Sequence, residues 1–463
     1  MGYIKLLIEL AMLKHNVNVS RKKMQKIQRK KFCKLIRFAW KHSPYYRKVF
    51  EQAGIKENQL NNLPPSAFPS IDKKTLMQNF DSILTVSGIT QEQIRKFDYE
   101  TELSNGNTIP GKSQNSTFHI VHSSGSTGIP CYFLYDKKAW HTMLLGIIRG
   151  ALWDMNIFQI IRLLIGHPKV MYIAATDGRY GGAMAVGDGI TGVGAEQLYL
   201  DIKKPLSQWV DTVNNFNPDI IIGYPSAIKI LGELIKQNKV SVKIQRLVSC
   251  GEPLPQTLRL FLEETFSVPV INIYGASESL AMGIELGSKE GMMLFDDLNL
   301  IEETEDGIYL TSLYNFAQPL IRYKLSDRLK IKDVQTIPFS CAENLLGRNE
   351  DLLWFEDNLG NKDFLHPLAV EGFCIKGLKD YQFLQTGKDS FKMIAEISDE
   401  IEKNNIEKEL NKYLRTILQE KNLQFVKYSI SFTSEILPDD KTGKKPLIVA
   451  STTRENIIQE TAI

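Results

Sequence analysis

Four short apolar runs set the frame: Val170–Ala175 (VMYIAA), Asp219–Ile222 (DIII), Arg246–Ser249 (RLVS) and Val270–Tyr274 (VINIY). Longer stretches of helical period separate them, among them Ser226–Gln237 and Leu254–Thr265. Strand and helix in alternation predict an α/β unit built on a mostly parallel sheet. From Leu298 the pattern turns toward antiparallel strands, with GIYLTSLYN and LIRYK. Residues 347–463 hold further strand-like runs and one charged helix, expected over Asp399–Glu420. A chain of 463 residues exceeds one ordinary core, so at least two domains are expected.

Bulk properties exclude several classes. Hydrophobic residues make up 43% and charged residues 24%, ordinary for a globular protein, and the net charge of +3 demands no nucleic-acid partner. The five cysteines (Cys33, Cys131, Cys250, Cys341, Cys374) are scattered, odd in number and without CxxC spacing. They point to reduced thiols and a cytoplasmic setting rather than a disulfide frame. The most apolar region, Thr142–Ile165, is broken by Arg149, Asp154 and Arg162 and reads as buried helices. The opening YIKLLIELAML is interrupted by Glu9 and followed by no small-residue cleavage site, unlike a secretory signal. No His, Cys or carboxylate cluster has zinc-site spacing.

One region is strongly biased. Between Lys14 and Lys48 many lysines and arginines gather with no acidic balance, interleaved with Phe32, Ile36, Phe38 and Trp40. The plainer reading is a solvated helix whose apolar side packs on the body. The sharper one is an amphipathic docking surface for anionic lipid or an acidic carrier protein.

The chemistry-bearing stretch is Val121–Pro130, VHSSGSTGIP, between the strand-like runs FHIV and CYFLY. A Ser/Gly turn there offers backbone N–H groups and hydroxyls to an anion, and glycine lets the main chain come close. Alone it is equally a plain hairpin turn. In order after it come SCGEPL (Ser249–Leu254), IYGASES (Ile273–Ser279), PLIRYKLSDR (Pro319–Arg328), LLGRNED (Leu345–Asp351) and TGKKP (Thr442–Pro446).

This series resembles the adenylate-forming enzymes: acyl-CoA synthetases, peptide-synthetase adenylation domains and luciferases. Within them it is most similar to the phenylacetate–CoA ligase branch and its CapK-like and coenzyme F390 synthetase-like relatives. FAWKHSPYYRKVFEQAGI (Phe38–Ile55) and FNPDIIIGYPSAI (Phe216–Ile228) look like that branch too. The resemblance implies a large N-terminal domain, residues 1–346, binding ATP and the acyl group, with residues 1–50 as a basic helical arm. It implies a small mobile α+β C-terminal domain, residues 347–463, hinged near Arg348–Asp351.

It also implies roles. Ser123, Ser124, Gly125, Ser126, Thr127 and Gly128 would close over the β- and γ-phosphates. Glu278 would ligate Mg²⁺ together with phosphate oxygens. Tyr274 and Gly275 would lie against adenine, Ser277 would donate toward the α-phosphate or acyl carboxylate, and Gly251, Glu252 and Pro253 would line the adenine edge. Asp327 would accept from the ribose hydroxyls, and Arg348 would meet the ribose at the hinge. Lys444 would bridge carboxylate and α-phosphate as charge builds in the transition state. Gly223–Ser226 and the small-residue run Ala175–Gly189 would shape the acyl pocket, and His122 reads as packed rather than catalytic. Three positions depart from the pattern: Ile129 stands where many relatives carry a lysine, Leu325-Ser326 replaces Thr-Gly, and Glu350 occupies the hinge position.

The expected activity is ATP- and Mg²⁺-dependent activation of a carboxylic acid as its acyl adenylate, with coenzyme A as acceptor. A carrier-protein thiol or an amine is the alternative acceptor. A nucleotide-binding protein without turnover is the alternative from another class, kept open by the three departures.

Overall fold

The computed structural model describes residues 3–101, 108–110, 117–123, 131–174, 185, 187–188, 195–287, 291–325, 327, 329–332, 334–345, 352–357, 359–370, 373, 375, 377–397, 402–437 and 447–449. The four apolar runs are strands, each within two residues of its expected bounds. In chain order the strands begin β1 (Thr108–Pro110), β2 (Thr117–Ser123), β3 (Cys131–Asp136), β4 (Lys169–Ala174), β5 (Glu196–Asp201), β6 (Ile220–Gly223), β7 (Arg246–Cys250) and β8 (Val270–Ala276). They continue with β9 (Ser279–Glu285), β10 (Met292–Leu294), β11 (Asn299–Thr304), β12 (Gly307–Ser312), β13 (Tyr323–Leu325), β14 (Leu329–Lys332) and β15 (Cys341–Leu345).

One nine-stranded sheet, in the order β14-β15-β10-β9-β8-β7-β6-β4-β5, dominates. Its half from β5 to β8 is parallel, and the half from β8 to β14 is antiparallel. The four apolar runs lie in the parallel half as expected, and the antiparallel part begins at β9, ahead of Leu298. The cause is local: β8 returns into β9 through a tight two-residue turn, and a hairpin pair is necessarily antiparallel. Val170 to Ala174 are all buried, as a strand covered on both faces requires.

The helices are α1 (Tyr3–His15), α2 (Arg21–His42), α3 (Pro44–Gln52), α4 (Lys73–Gln78), α5 (Phe80–Ile83), α6 (Gln91–Thr101), α7 (Lys137–Ala151), α8 (Ile157–Ile165), α9 (Leu206–Phe216), α10 (Pro225–Lys236), α11 (Gln256–Phe266), α12 (Pro367–Val370) and α13 (Lys403–Glu420). Trp209 of α9, Ile228 and Leu231 of α10 and Leu262 of α11 share one core with the strand side chains Met171, Ile221 and Leu247. Helix α2 starts at an N-cap, Ser20, which accepts from the Lys23 amide. Its Phe32, Leu35, Ile36, Ala39 and Trp40 all enter the main core. The apolar side of the basic arm is thus used up inside the protein, as the plainer reading expects.

Residues beyond 352 form a hairpin, β16 (Leu353–Glu356) with β17 (Lys362–Leu365). After it comes a four-stranded sheet in the order β20-β19-β18-β21, from β18 (Leu378–Gly387), β19 (Ser390–Ile397), β20 (Lys427–Thr433) and β21 (Ile448–Val449). The link from β19 through α13 to β20 is a parallel crossover, and Ile406, Leu410, Leu414 and Leu418 pack the helix on this sheet. The hairpin serves two cores: Leu353, Phe355 and Leu365 enter this one, whereas Phe364 joins the core of the parallel strands.

Lys421, just after α13, fastens the two together. Buried, it donates to the carbonyls of Ile202 (2.7 Å) and Lys204 (2.5 Å), pairs with Asp363 (3.1 Å) and lies over the Phe364 ring. Desolvation holds its pKa below the usual lysine value. Lys421→Met is expected to cost about 2 kcal/mol in chemical denaturation, since the methylenes still pack but two carbonyls and Asp363 lose their donor. A loss under about 0.5 kcal/mol would make the contact incidental.

Candidate active site

Strands β6, β7 and β8 are parallel neighbours, so Gly223, Cys250 and Ala276 end at the same edge of the sheet. Crevices outside the carboxyl ends of such strands are where α/β sheets hold ligands. The SCGEPL segment leaves β7 there. Gly251 has φ +82°, and a Cβ on it would meet the Tyr224 ring at 2.7 Å, so only glycine fits.

Glu252 beside it is fixed by its side chain. Ser226, in the first turn of α10, donates to it from its amide (3.1 Å) and its hydroxyl (3.0 Å), and His366 Nε2 lies 2.6 Å from Oε1. Desolvation works to raise this carboxyl, but the His366 charge and the Ser226 donors outweigh it and hold the pKa below the usual glutamate value. The His366 ring stacks on Tyr224. The carboxylate is thereby committed to positioning, which leaves the loop's backbone as what it can offer an adenine edge. The Cys250 thiol is pushed up to about 12 by burial and by Glu252, so it is an unreactive structural thiol.

YGASES forms the β8–β9 hairpin. A Cβ on Gly275 would fall 2.3 Å from the Leu280 carbonyl, and the register shifts between Tyr274 and Ala276. This irregularity turns Ser277 and Glu278 out at the sheet edge. The Ser277 hydroxyl donates to the His122 carbonyl (3.2 Å), next to the last residue of β2, and the Tyr135 hydroxyl donates to the Ser277 carbonyl (3.0 Å). The hairpin is thus pinned to β2 and β3, which pair at Ser123 and Cys131 on either side of the Ser/Gly loop. The Tyr274 hydroxyl donates to Asp327 Oδ2 at 2.7 Å, which orients that carboxylate.

Glu278 has the most perturbed carboxyl in the site. Burial raises its pKa to about 7 and Asp327 adds to the rise, while a hydrogen bond from the Tyr323 hydroxyl works against it. A carboxylate that is costly to ionise until a cation arrives suits a hard metal ion on phosphate. Among the described residues no three His, Cys, Asp or Glu side chains gather to form a dedicated metal cage. The donors present fit Mg²⁺ held by one protein carboxylate and substrate phosphate oxygens.

The structure therefore brings Tyr274, Gly275, Ser277, Glu278 and Asp327 together, with Gly251, Glu252 and Pro253 on the neighbouring strand end. Ser124, Gly125, Ser126, Thr127, Gly128, Arg348 and Lys444 lie outside the described residues, as does the side chain of Ser123. Three contributors were not singled out from the sequence. Tyr323 sits inside the quoted PLIRYKLSDR motif, but its place in strand β13 gave no sign that it meets Glu278. His366 carries no motif. Lys73 opens α4, and residue 71 bridges Tyr323 through Ile71 N to Arg322 O and Lys324 N to Ile71 O. Its charge is close enough to act on both Glu278 and the Cys131 thiol. It is a cation that acts on Cys131, the first residue of β3. Lys73→Ala is expected to raise the KM for ATP about tenfold with a smaller change in kcat, as loss of a charged contact made in the ground state does. A kcat loss at unchanged KM would contradict this.

Residues 68–294 match the family model of AMP-binding enzymes. A phenylacetate-coenzyme A ligase of Aromatoleum evansii is 24% identical over 346 residues, 69% of each chain. Protein CapK of Staphylococcus aureus is 22% identical, across 84% of this chain and 82% of its own. Among solved structures, a 2-hydroxyisobutyryl-CoA ligase with 2-HIB-AMP and CoA shares the fold at a TM-score of 0.60 and 17% identity, covering 96% of this chain and 94% of that one.

Proposed function

We propose that this adenylate-forming ligase, whose residues 68–294 make an AMP-binding enzyme domain, activates an aromatic or related carboxylic acid and passes it to coenzyme A. The observation that carries the reading is the meeting of Glu278, Ser277 and Asp327 with the Gly251–Pro253 loop at the carboxyl ends of β7 and β8. The phenylacetate-coenzyme A ligase relative supports the acid class and acceptor.

In the first step a carboxylate oxygen bonds to the α-phosphorus and the bond to the bridging oxygen breaks, releasing pyrophosphate. Both partners are anionic, so the site must supply positive charge and oriented donors. Ser277 can turn its hydroxyl from the His122 carbonyl to a phosphate oxygen. Asp327, oriented by Tyr274, accepts from ribose hydroxyls through its remaining lone pairs. Glu278 and phosphate oxygens would hold a magnesium ion, which neutralises phosphate charge when bound. In the second step the thiol sulfur attacks the acyl carbon, its proton passes to solvent, and AMP leaves with the bonding electrons. Residues 347–463 would act as the mobile domain of this cycle.

The test is ATP–pyrophosphate exchange over a panel of aryl, short-chain, fatty and amino acids without CoA, then acyl transfer to CoA, a carrier thiol and amines. Exchange driven by aryl acids, with thioester formed on CoA, is expected. No exchange with any acid despite ATP binding would overturn the catalytic reading, and transfer to a carrier thiol or amine alone would overturn the acceptor.

A further inference from the structure

Residues 10–50 contain thirteen Lys and Arg and no Asp or Glu, a charge of +13. Since the whole chain is +3, everything else sums to −10. So polarised a charge is not the even mixture of an ordinary solvated surface.

The structure sorts these cations into two sets. Four face inward and are committed. Lys14 donates to the Leu152 and Trp153 carbonyls, and Arg21 pairs with Asp296. Arg29 donates to the Asn61 and Leu63 carbonyls, and Lys31 to that of Asp297. On α2, seven others are exposed: Lys22, Lys23, Lys26, Lys30, Lys34, Arg37 and Lys41. At the helical repeat they fall within an arc of about 120° and span about 28 Å of helix. Among the described residues none of the seven pairs with a carboxylate.

A second feature precedes them in the chain. Helix α1, which leads into α2, shares one apolar cluster with α7 and α8, formed by Leu10, Leu145, Ile160 and Leu164. The outer sides of α1 and α8 hold long apolar side chains in water: Ile8 and Met12 on α1, Phe158 (80% exposed) and Ile165 (70% exposed) on α8. Exposed apolar chains and a row of cations are the two parts that a peripheral membrane contact uses.

We infer that the α2 ridge and the α1–α8 apolar lobe dock this protein on an anionic lipid bilayer. Two observations favour lipid over an acidic protein. Six of the seven ridge cations are lysines, point charges suited to a diffuse field of headgroups, whereas arginine's fork suits defined carboxylates. The inward set shows that second use, with Arg21 on Asp296. The projecting Phe158 and Ile165 need an acyl-chain environment that a flat acidic surface lacks. Among the described residues no helix is long and apolar enough to cross a membrane, so the contact is one of adsorption.

Co-sedimentation of the full chain with phosphatidylcholine vesicles, with and without phosphatidylglycerol, tests this, with polyglutamate as an acidic-polypeptide probe. Binding only to the anionic vesicles, falling at high salt, is expected. The triple variant Lys22→Glu, Lys26→Glu, Lys30→Glu should bind at least tenfold more weakly, while the triple change to arginine keeps binding and Phe158→Ser weakens it several-fold. ATP–pyrophosphate exchange equal to that of the unaltered chain certifies that each variant is folded. Equal binding to neutral vesicles, no binding to anionic ones, or insensitivity to the triple glutamate change would overturn the inference. Capture of polyglutamate without vesicle binding would overturn it too and assign the ridge to an acidic protein.

Discussion

Glu278→Gln is expected to lower adenylation by about 10²–10³-fold while making the protein more stable at pH 8 than at pH 5, relative to the native chain. The two effects share one cause. The Glu278 carboxyl is desolvated and faces Asp327, which raises its pKa to about 7. In the unfolded chain it titrates at the ordinary glutamate value near 4.3, so between those limits the folded state binds more protons than the unfolded state. Stability must then fall as pH rises through that window, by up to about 4 kcal/mol once both states have lost the proton. Glutamine cannot ionise and keeps the shape, so the variant escapes this cost above pH 7 and gains almost nothing at pH 5. Denaturation of both proteins at the two pH values, without ATP or metal, measures it. A stability difference that is the same at pH 5 and pH 8 would mean that Glu278 ionises without strain, and its assignment as the metal carboxylate would lose its physical basis. A site that is destabilised until its ligand arrives is the usual exchange of stability for activity.

What the sequence disclosed and what it hid divide by sequence separation. The strands near 170, 220, 246 and 270 are legible because a buried strand needs only a short apolar run, and α10 because its apolar positions repeat at helical period. Helix α13 spans Lys403–Glu420 and keeps the expected C-terminal end, its Ile406, Leu410, Leu414 and Leu418 repeating at helical period. Glu278, Ser277 and Asp327 are legible only as members of an ordered series, since a glutamate in a turn has no distinguishing local pattern. Tyr323, Lys73 and His366 are hidden for another reason. Ile71 bridges Tyr323 across more than half of the chain, and His366 reaches Glu252 from 114 residues away. Such contacts are fixed by sheet order and by where the hairpin β16–β17 docks, neither of which is written in local composition. The basic arm lies between these extremes. Its charge is plain in the sequence, but that Arg21 and Lys31 turn inward depends on Asp296 and Asp297, far along the chain and buried.

Lys444→Ala is expected to reduce kcat/KM for adenylation by about 10³-fold or more, roughly 4 kcal/mol of transition-state stabilisation, while ATP binds within a few-fold of its native affinity. The asymmetry follows from where charge appears. Before reaction the triphosphate can be satisfied by loop amides, hydroxyls and Lys73. As the carboxylate oxygen closes on the α-phosphorus, negative charge concentrates between two anions, and one cation placed there is worth far more than in the ground state. Lys444 follows Gly443 on the stretch leading into β21, whose Ile448 pairs with Phe383 and whose approach is held by the Phe383 amide on the Leu447 carbonyl (2.7 Å). Lys445→Ala is expected to change the rate less than tenfold, because the Gly-Lys register of the motif assigns the bridging role to Lys444. Exchange kinetics paired with equilibrium ATP binding decide the matter: equal losses in both would make Lys444 a ground-state phosphate contact, and a larger effect at Lys445 would shift the register of the TGKKP turn by one residue.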